Sequence, residues 1–213
     1  NYFFKVKEKL FYFKNSITGK YKQSNSKFYT ITYSVISSND VKDNLNILKK
    51  KYPDASHICY AYRLFNGFTI LNDVNVSNFS SDAGEPGGSA GRPILNILKK
   101  YNIINTAIYV IRYFGGKKLG IPGLIKAYSN SAELIIDNNK LKPWYPLVNI
   151  ELNYNYNLDG FVKKTIKFFS AKIRKQKFNQ TIFISIQINH FLTNDFLNTF
   201  KNQPEIDIKI LKN

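Results

Sequence analysis

Two glycine-rich segments constrain this chain more than any other feature of its sequence. The first runs through Ser80–Pro93 (SSDAGEPGGSAGRP) and the second through Arg112–Gly123 (RYFGGKKLGIPG). Together they hold eight of the eleven glycines. Glycine loses more backbone freedom on folding than any other residue, so this concentration indicates tight turns or close approach of another group. The two segments are therefore predicted to be a functional site or the scaffold of one.

The patterns around these segments predict alternating strands and helices in the first part of the chain. Asp40 is expected to cap the first helix, and Asn66-Gly67 is a strong signal for a two-residue hairpin turn. The predicted strands cover residues 28–36, 57–64, 68–74 and 106–113, and the predicted helices cover 40–52, 89–101 and 124–137.

The second part of the chain reads as β-α-β-β-α-β, which is the order of a ferredoxin-like domain. Its predicted elements are 147–154, 158–169, 171–178, 181–189, 192–200 and 206–211. Two prolines and an Asn-Asn pair in Asn138–Pro146 predict a break before it. The expected organisation is an arm or added strand over 1–19, a first domain over 20–140, a linker over 141–146 and a second domain over 147–213. The predicted fold class is α+β.

The chain is strongly basic, with a formal net charge of +17, of which +12 lies in residues 1–143. A positive field attracts nucleic acid and acidic surfaces. The alternative is compositional: lysine, asparagine and isoleucine are all abundant, as expected from an A/T-rich genome. Cys59 is the sole cysteine, so no intrachain disulfide can form, and a reducing, cytoplasmic setting is expected. The apolar runs fall short of the ~20 residues that cross a bilayer, so no membrane role is expected.

Three kinds of chemistry are open to the glycine-rich segments. The amides before a helix over 89–101 could cradle a phosphate, although neither segment matches a nucleotide-binding motif. Asp82 and Glu85 could share a proton or a magnesium ion, or instead cap local turns. The glycines and the basic side chains beside them could meet an RNA backbone or a protein partner. His57 is expected either to contact Glu85 or a ligand, or to lie at the surface where a strand begins.

Three blocks of the sequence resemble the signature blocks of the IMPACT/YigZ family in order and spacing. They are YPDASHIC at Tyr52–Cys59, SDAGEPGGSAGRP at Ser81–Pro93 and VIRYFGGKKLGIPGLIKAY at Val110–Tyr128. Ser26-Lys27-Phe28 is similar to a short element before the family's first strand. The resemblance covers about residues 20–140, and the second half is similar to the second domain of bacterial members.

The resemblance implies a first domain like the second domain of a small-subunit ribosomal protein and a second domain like the last domain of elongation factor G. It also implies a link to translation. Eukaryotic relatives act in translational control by binding the activator of a stress kinase, with the help of an RWD domain that this sequence does not show. Two departures matter. Ala83 stands where the family usually has a second acidic residue, and Ile121-Pro122-Gly123 stands where it usually has Thr-Gly-Gly.

The expectation is a non-catalytic binding protein whose partner is the ribosome or structured RNA, or a protein of translation control. The alternative is a small-ligand protein or enzyme that uses Asp82, Glu85 and Arg92 to bind a nucleotide or phosphorylated metabolite. No cofactor, metal ligand or catalytic residue is assigned. The expected ligand- or RNA-binding residues are His57, Asp82, Gly84, Glu85, Gly88, Gly91, Arg92, Arg112, Gly115, Gly116, Lys117, Lys118, Gly120 and Lys126.

Overall fold

The computed structural model describes residues 9–69, 73–137 and 140–211. The chain divides into two compact units, the first ending at Trp144 and the second beginning at Tyr145. The predicted α+β class is confirmed in both units.

The first unit is built on a five-stranded antiparallel sheet with the strand order β2-β3-β6-β4-β5. Its described residues also form three helices and a separate strand pair of β1 and β7. Its elements are β1 (Leu10–Phe13), β2 (Thr18–Gln23), β3 (Ser26–Ser34), α1 (Ser38–Lys51), β4 (His57–Phe68), β5 (Val74–Ser81), α2 (Gly91–Lys100), β6 (Thr106–Tyr113), α3 (Gly120–Glu133) and β7 (Leu141–Trp144).

Helices cover both faces of this sheet, which explains why its central strand β6 is buried along nearly its whole length and is largely apolar. On one face, Ile94 of α2 and Tyr128 of α3 pack against a cluster that includes Val110 of β6. On the other face, Leu48 of α1 packs with Tyr109 and Ile111 of the same strand. A strand that is buried on both sides reads as a continuous hydrophobic run.

The second unit has the predicted ferredoxin-like topology. Among the described residues, its four strands are all antiparallel in the order β11-β8-β10-β9, and residues of β8 and β10 share one core with the helices. Its elements are β8 (Leu147–Tyr154), α4 (Asp159–Phe168), β9 (Lys172–Phe178), β10 (Ile182–Asn189), α5 (Thr193–Asn198) and β11 (Asp207–Leu211).

The predicted turn at Asn66-Gly67 is wrong. Strand β4 continues to Phe68, and its pairing with β5 shifts register between Phe65 and Phe68. Gly67 has φ of +79°, so its conformational freedom serves a bulge and not a turn. Beyond the bulge, Thr69 N–H donates to the carbonyl of Asp73.

Two other local predictions need correction. Ser37, and not Asp40, is the N-cap of α1. Asp40 occupies the third helical position, where its carboxylate accepts from the Ser37 N–H in a capping box. Leu141–Trp144 lies within the predicted linker but forms β7, which pairs with β1 in the predicted N-terminal arm. Residues 1–8 of that arm and the pair Asn138-Asn139 lie outside the described residues.

The β2–β3 turn meets the second glycine-rich segment at Gly115. Ser24 and Asn25 form the two-residue turn and both have positive φ, the pattern of a type I′ hairpin. Gly115 N–H donates to the Ser26 hydroxyl at 3.2 Å. A Cβ atom on Gly115 would fall 2.1 Å from the Asn25 carbonyl carbon, so no larger residue fits there without moving the turn.

We therefore expect Gly115→Ala to lower the free energy of unfolding by about 2–3 kcal/mol, because backbone must move to admit one methyl group. Gly87→Ala is the matched control, since nothing lies within 4 Å of a Cβ at Gly87. That control should change stability by less than about 1 kcal/mol. Chemical denaturation of both variants measures the difference, and equal effects would contradict the close approach at Gly115.

Candidate functional site

The first glycine-rich segment folds around the carboxylate of Asp82. One carboxylate oxygen accepts from Gly88 N–H at 2.8 Å, and the other accepts from Ala90 N–H at 2.9 Å and Gly91 N–H at 2.8 Å. The last two amides open helix α2, whose first turn has no helical acceptor for them. Asp82 therefore occupies the position at the start of this helix where a bound anion would otherwise sit.

The environment of Asp82 keeps this carboxylate ionised. Burial by itself raises the pKa of Asp82, but the three backbone N–H groups and the charge of Arg92 outweigh it and hold the pKa below its ordinary value of 3.8. A hydrogen bond to the charged form of an acid favours that form. The site therefore offers no free position for a phosphate, because the Asp82 carboxylate already occupies it.

Glycine is required at Gly91 for this arrangement. A Cβ atom there would lie 2.7 Å from the backbone nitrogen of Ser81, at the end of β5. Ala83 and Gly84 both have positive φ, at +46° and +90°. Such a conformation is unusual for alanine.

The second carboxylate of the segment, that of Glu85, lies in a buried ion pair. Its side chain is 4% exposed, and its Oε1 atom lies 2.6 Å from Nη1 of Arg112, whose side chain is 6% exposed. The Arg112 guanidinium also lies between the rings of Phe28 and Phe114, at 5.7 and 5.6 Å from their centroids. Arg112, which the sequence predicts to be a ligand- or RNA-binding residue, therefore points into the interior.

Two further polar side chains, Tyr128 and His57, lie beside Glu85. The Tyr128 hydroxyl donates to Glu85 Oε1 at 2.7 Å. His57 lies beside Glu85, with Nε2 at 4.0 Å from Oε2, as one of its two interpretations expects. The Nδ1 atom of His57 lies 2.9 Å from the Ala83 carbonyl, which can only accept, so Nδ1 carries a proton.

Cys59 and Tyr128 form the inner wall of this cluster and both stay protonated. Burial is the largest cause that raises the pKa of Cys59, to about 12, and burial likewise raises the pKa of Tyr128. The Cys59 sulfur lies 3.0 Å from the Asp82 carbonyl and 3.3 Å from the Tyr128 hydroxyl. A thiol held protonated is a poor nucleophile, so Cys59 serves the core.

The second glycine-rich segment leads directly into helix α3. The predicted start at Leu124 is four residues late, since the helix begins at Gly120, where φ is +69°. Pro122 fits in the first turn of α3, because N–H groups there have no acceptor within the helix and proline has no N–H to leave unpaired. Gly116 also has positive φ, at +83°, and Lys117 and Lys118 follow it on the exposed surface.

The predicted site residues thus separate into three groups. Contacts join seven of them into a packed cluster: His57, Asp82, Gly84, Glu85, Gly88, Gly91 and Arg112. Four basic side chains are exposed instead: Arg92, Lys117, Lys118 and Lys126. Gly115, Gly116 and Gly120 shape the loop that carries two of these lysines.

The sequence-based site set left out Ser26, Phe28 and Tyr128. Ser26 accepts from Gly115 N–H, and Phe28 and Tyr128 contact Arg112 and Glu85 respectively. The Ser26-Lys27-Phe28 motif was the available signal for the first two. One sequence alone does not show that residues dozens of positions apart lie in contact.

The described residues contain no group of three His, Cys, Asp or Glu side chains placed to hold a metal ion. Two buried polar atoms near the cluster, Ser89 Oγ and Arg112 Nε, have no hydrogen-bond partner in the described part of the chain. Among the described residues, no helix is long and apolar enough to cross a membrane.

The fold and the cluster define a two-domain α+β protein whose first unit carries an Impact N-terminal domain, matched over residues 24–136. Since this match covers just over half of the chain, the protein belongs to the IMPACT family. It is 36% identical to the IMPACT family member YvyE of Bacillus subtilis over 106 residues, which cover 50% of this chain and 46% of that protein. It is 26% identical to an IMPACT family member of Haemophilus influenzae over 88% of this chain and 89% of that protein.

Two solved structures are similar to this chain to different degrees. The match to a crystal structure of a hypothetical protein spans 98% of this chain and 98% of that protein, with a TM-score of 0.58 and 21% identity. This match supports a shared fold. The structure of the two-domain translational regulator Yih1 covers 58% of this chain at 23% identity, with a TM-score of 0.34, which is too low to compare the two structures in detail.

The buried ion pair gives a direct test of how the cluster is held together. Arg112→Met should lower the free energy of unfolding by about 3–5 kcal/mol, because it leaves the Glu85 carboxylate buried without its cation. Adding Glu85→Gln should cost little more, so the two changes should be strongly non-additive in a double-mutant cycle. Arg92→Met is the matched control at an exposed arginine and should stay within about 0.5 kcal/mol of the starting protein. Additive losses would contradict the pairing.

Proposed function

We propose that this protein is a non-catalytic binding protein of translation, and that its first unit binds the ribosome or structured RNA. The observation that carries the proposal is that both carboxylates of the first glycine-rich segment are engaged within the protein. Asp82 is bonded to the backbone and Glu85 is paired with Arg112. The predicted site side chains that remain exposed are all cations.

Four exposed cations would make the phosphate contacts: Arg92 near the start of α2, Lys117 and Lys118 before α3, and Lys126 within α3. Phosphate contacts by Lys and Arg supply most of the sequence-independent affinity for nucleic acid. The packing of Gly91 and Gly115 against neighbouring backbone fixes the loops that carry or precede them. Fixed loops lose less conformational freedom when they bind.

Membership of the IMPACT family supports the link to translation. The resemblance to eukaryotic relatives implies translational control through a protein partner, and Yih1 is described as a translational regulator. A protein of translation control is therefore the second possible partner for the same surface. Either partner would place the protein in the cytoplasm.

The small-ligand or enzyme alternative is less well supported by this geometry. Asp82 would have to release three backbone N–H groups before it could act on a ligand, and Glu85 would have to leave Arg112 unpaired in the interior. Each loss carries the desolvation cost of an unsatisfied buried group.

The test is co-sedimentation of the purified protein with bacterial ribosomes at low and at physiological salt. We expect retention at physiological salt and weaker retention of the Lys117→Gln/Lys118→Gln variant. The dependence of log affinity on log salt should become shallower by about 0.7–0.9 for each phosphate that the variant no longer neutralises. The Lys164→Gln/Lys167→Gln variant is the matched control, because it removes the same charge from exposed positions on α4 of the second unit.

Equal loss in both lysine variants would show that net charge alone causes the retention, and the proposed surface would be wrong. Retention that ignores both salt and the Lys117/Lys118 substitutions would favour a protein contact elsewhere. The absence of retention at either salt concentration would contradict ribosome binding.

A further inference from the structure

A cleft of about 380 Å³ opens beside the second glycine-rich segment, on the face of the sheet that α1 covers elsewhere. It is lined by Asn25, Lys27, Tyr29, Tyr113 and Phe114. Three of these five residues are aromatic and one is a lysine. The predicted site residues include none of them.

The aromatic rings of the cleft are held in fixed positions. Tyr29 contacts Tyr113 edge to face, with ring centroids 5.9 Å apart, and stacks on Tyr52 at 6.4 Å. The Phe114 backbone N–H donates to the Ser56 hydroxyl at 3.0 Å, and the Arg112 guanidinium lies 5.6 Å from its ring. Phe114 is nevertheless 50% exposed. A large, positioned and half-exposed ring is a surface on which another flat ring can stack.

The rim of the cleft is basic. Lys27 lines the cleft itself, Lys20 Nζ lies 5.8 Å from the centre of the Tyr29 ring, and Lys51 Nζ lies 5.5 Å from the centre of the Tyr52 ring. Asp54 lies close enough to Tyr113 for its charge to act on that ring. Burial and then the charge of Asp54 raise the pKa of the Tyr113 phenol, so that ring stays uncharged at neutral pH.

We propose that this cleft binds an unpaired nucleotide of single-stranded RNA, with the base stacked on Phe114 and the phosphate close to Lys27. The inference rests on the proposed function, because it names the part of an RNA partner that this unit recognises. Aromatic side chains beside a basic groove are the usual means of binding single strands without strong sequence preference. Bases within a duplex are already stacked and paired, so duplex RNA cannot use Phe114 in this way.

The experiment measures fluorescence anisotropy of a labelled oligouridylate of about a dozen nucleotides, a length within the range of known single-strand sites. A GC-rich RNA duplex of the same length serves as the second probe. The variants are Phe114→Leu and Tyr29→Leu/Phe114→Leu, which keep apolar volume while removing the flat rings. Phe79→Leu is the matched control, since Phe79 on β5 is 45% exposed and stacks on Tyr60 and Tyr62 at the opposite edge of the sheet. Thermal unfolding checks that each variant is folded.

We expect Phe114→Leu to weaken oligouridylate binding by about 5- to 150-fold, which is the usual loss for one stacked base. Its effect on duplex binding and on ribosome retention should be smaller, and Phe79→Leu should bind the oligonucleotide like the starting protein. Unchanged oligouridylate binding in both cleft variants would overturn the stacking proposal, as would an equal loss in Phe79→Leu.

The two proposals fail in different ways. Ribosome retention that depends on Lys117 and Lys118, with no oligouridylate binding at all, would overturn the cleft proposal and leave the proposed function standing. If neither ribosomes nor either RNA probe bind, both proposals are overturned.

Discussion

The carboxylate of Asp82 is the contact on which the rest of the site depends. It accepts three backbone N–H groups, which fixes the first glycine-rich loop and satisfies two amides at the start of α2. The loop in turn brings Glu85 to Arg112, and Tyr128 and His57 also lie beside Glu85. Without a negative group at this point, the first turn of α2 would leave its donors unpaired close to the buried core.

This internal anion changes what the glycine-rich segments offer to a partner. A loop of this kind is typical of phosphate sites when its amides are free, but here the chain has already used them. The glycines serve close backbone packing, at Gly91 against Ser81 and at Gly115 against the β2–β3 turn. Apart from Arg112, the basic side chains of the site are exposed, and Phe114 lies between the buried ion pair and the surface. Recognition through exposed cations and rings is therefore the function that we propose.

Local patterns in the sequence were sufficient for most elements and insufficient for the site. Thr106–Tyr113 and Leu147–Tyr154 are strands with the predicted bounds, because apolar runs and strict alternation leave few alternatives. The Asn66-Gly67 pair predicted a turn, but positive φ also suits a bulge, and only the partner strand decides between them. Arg112 was expected to bind a ligand, and its burial could not be predicted from sequence. Its partner Glu85 lies 27 positions away, and no local pattern shows on which face of β6 the Arg112 side chain lies. The domain bounds predicted from sequence remain a prediction.

The measurement that tests this account most directly is a ¹³C NMR titration of the Asp82 carboxyl, with and without magnesium chloride. We predict a midpoint below the ordinary value of 3.8 and no response to magnesium, because backbone amides already hold the charged form. Because folding lowers this pKa, the ionised Asp82 carboxylate contributes its full stabilisation at pH values above its pKa in the unfolded chain. This contribution is lost as the pH falls through the pKa of the folded protein. A midpoint at or above 3.8, or a magnesium-dependent shift of the resonance, would contradict the structural role of Asp82 and restore the small-ligand interpretation.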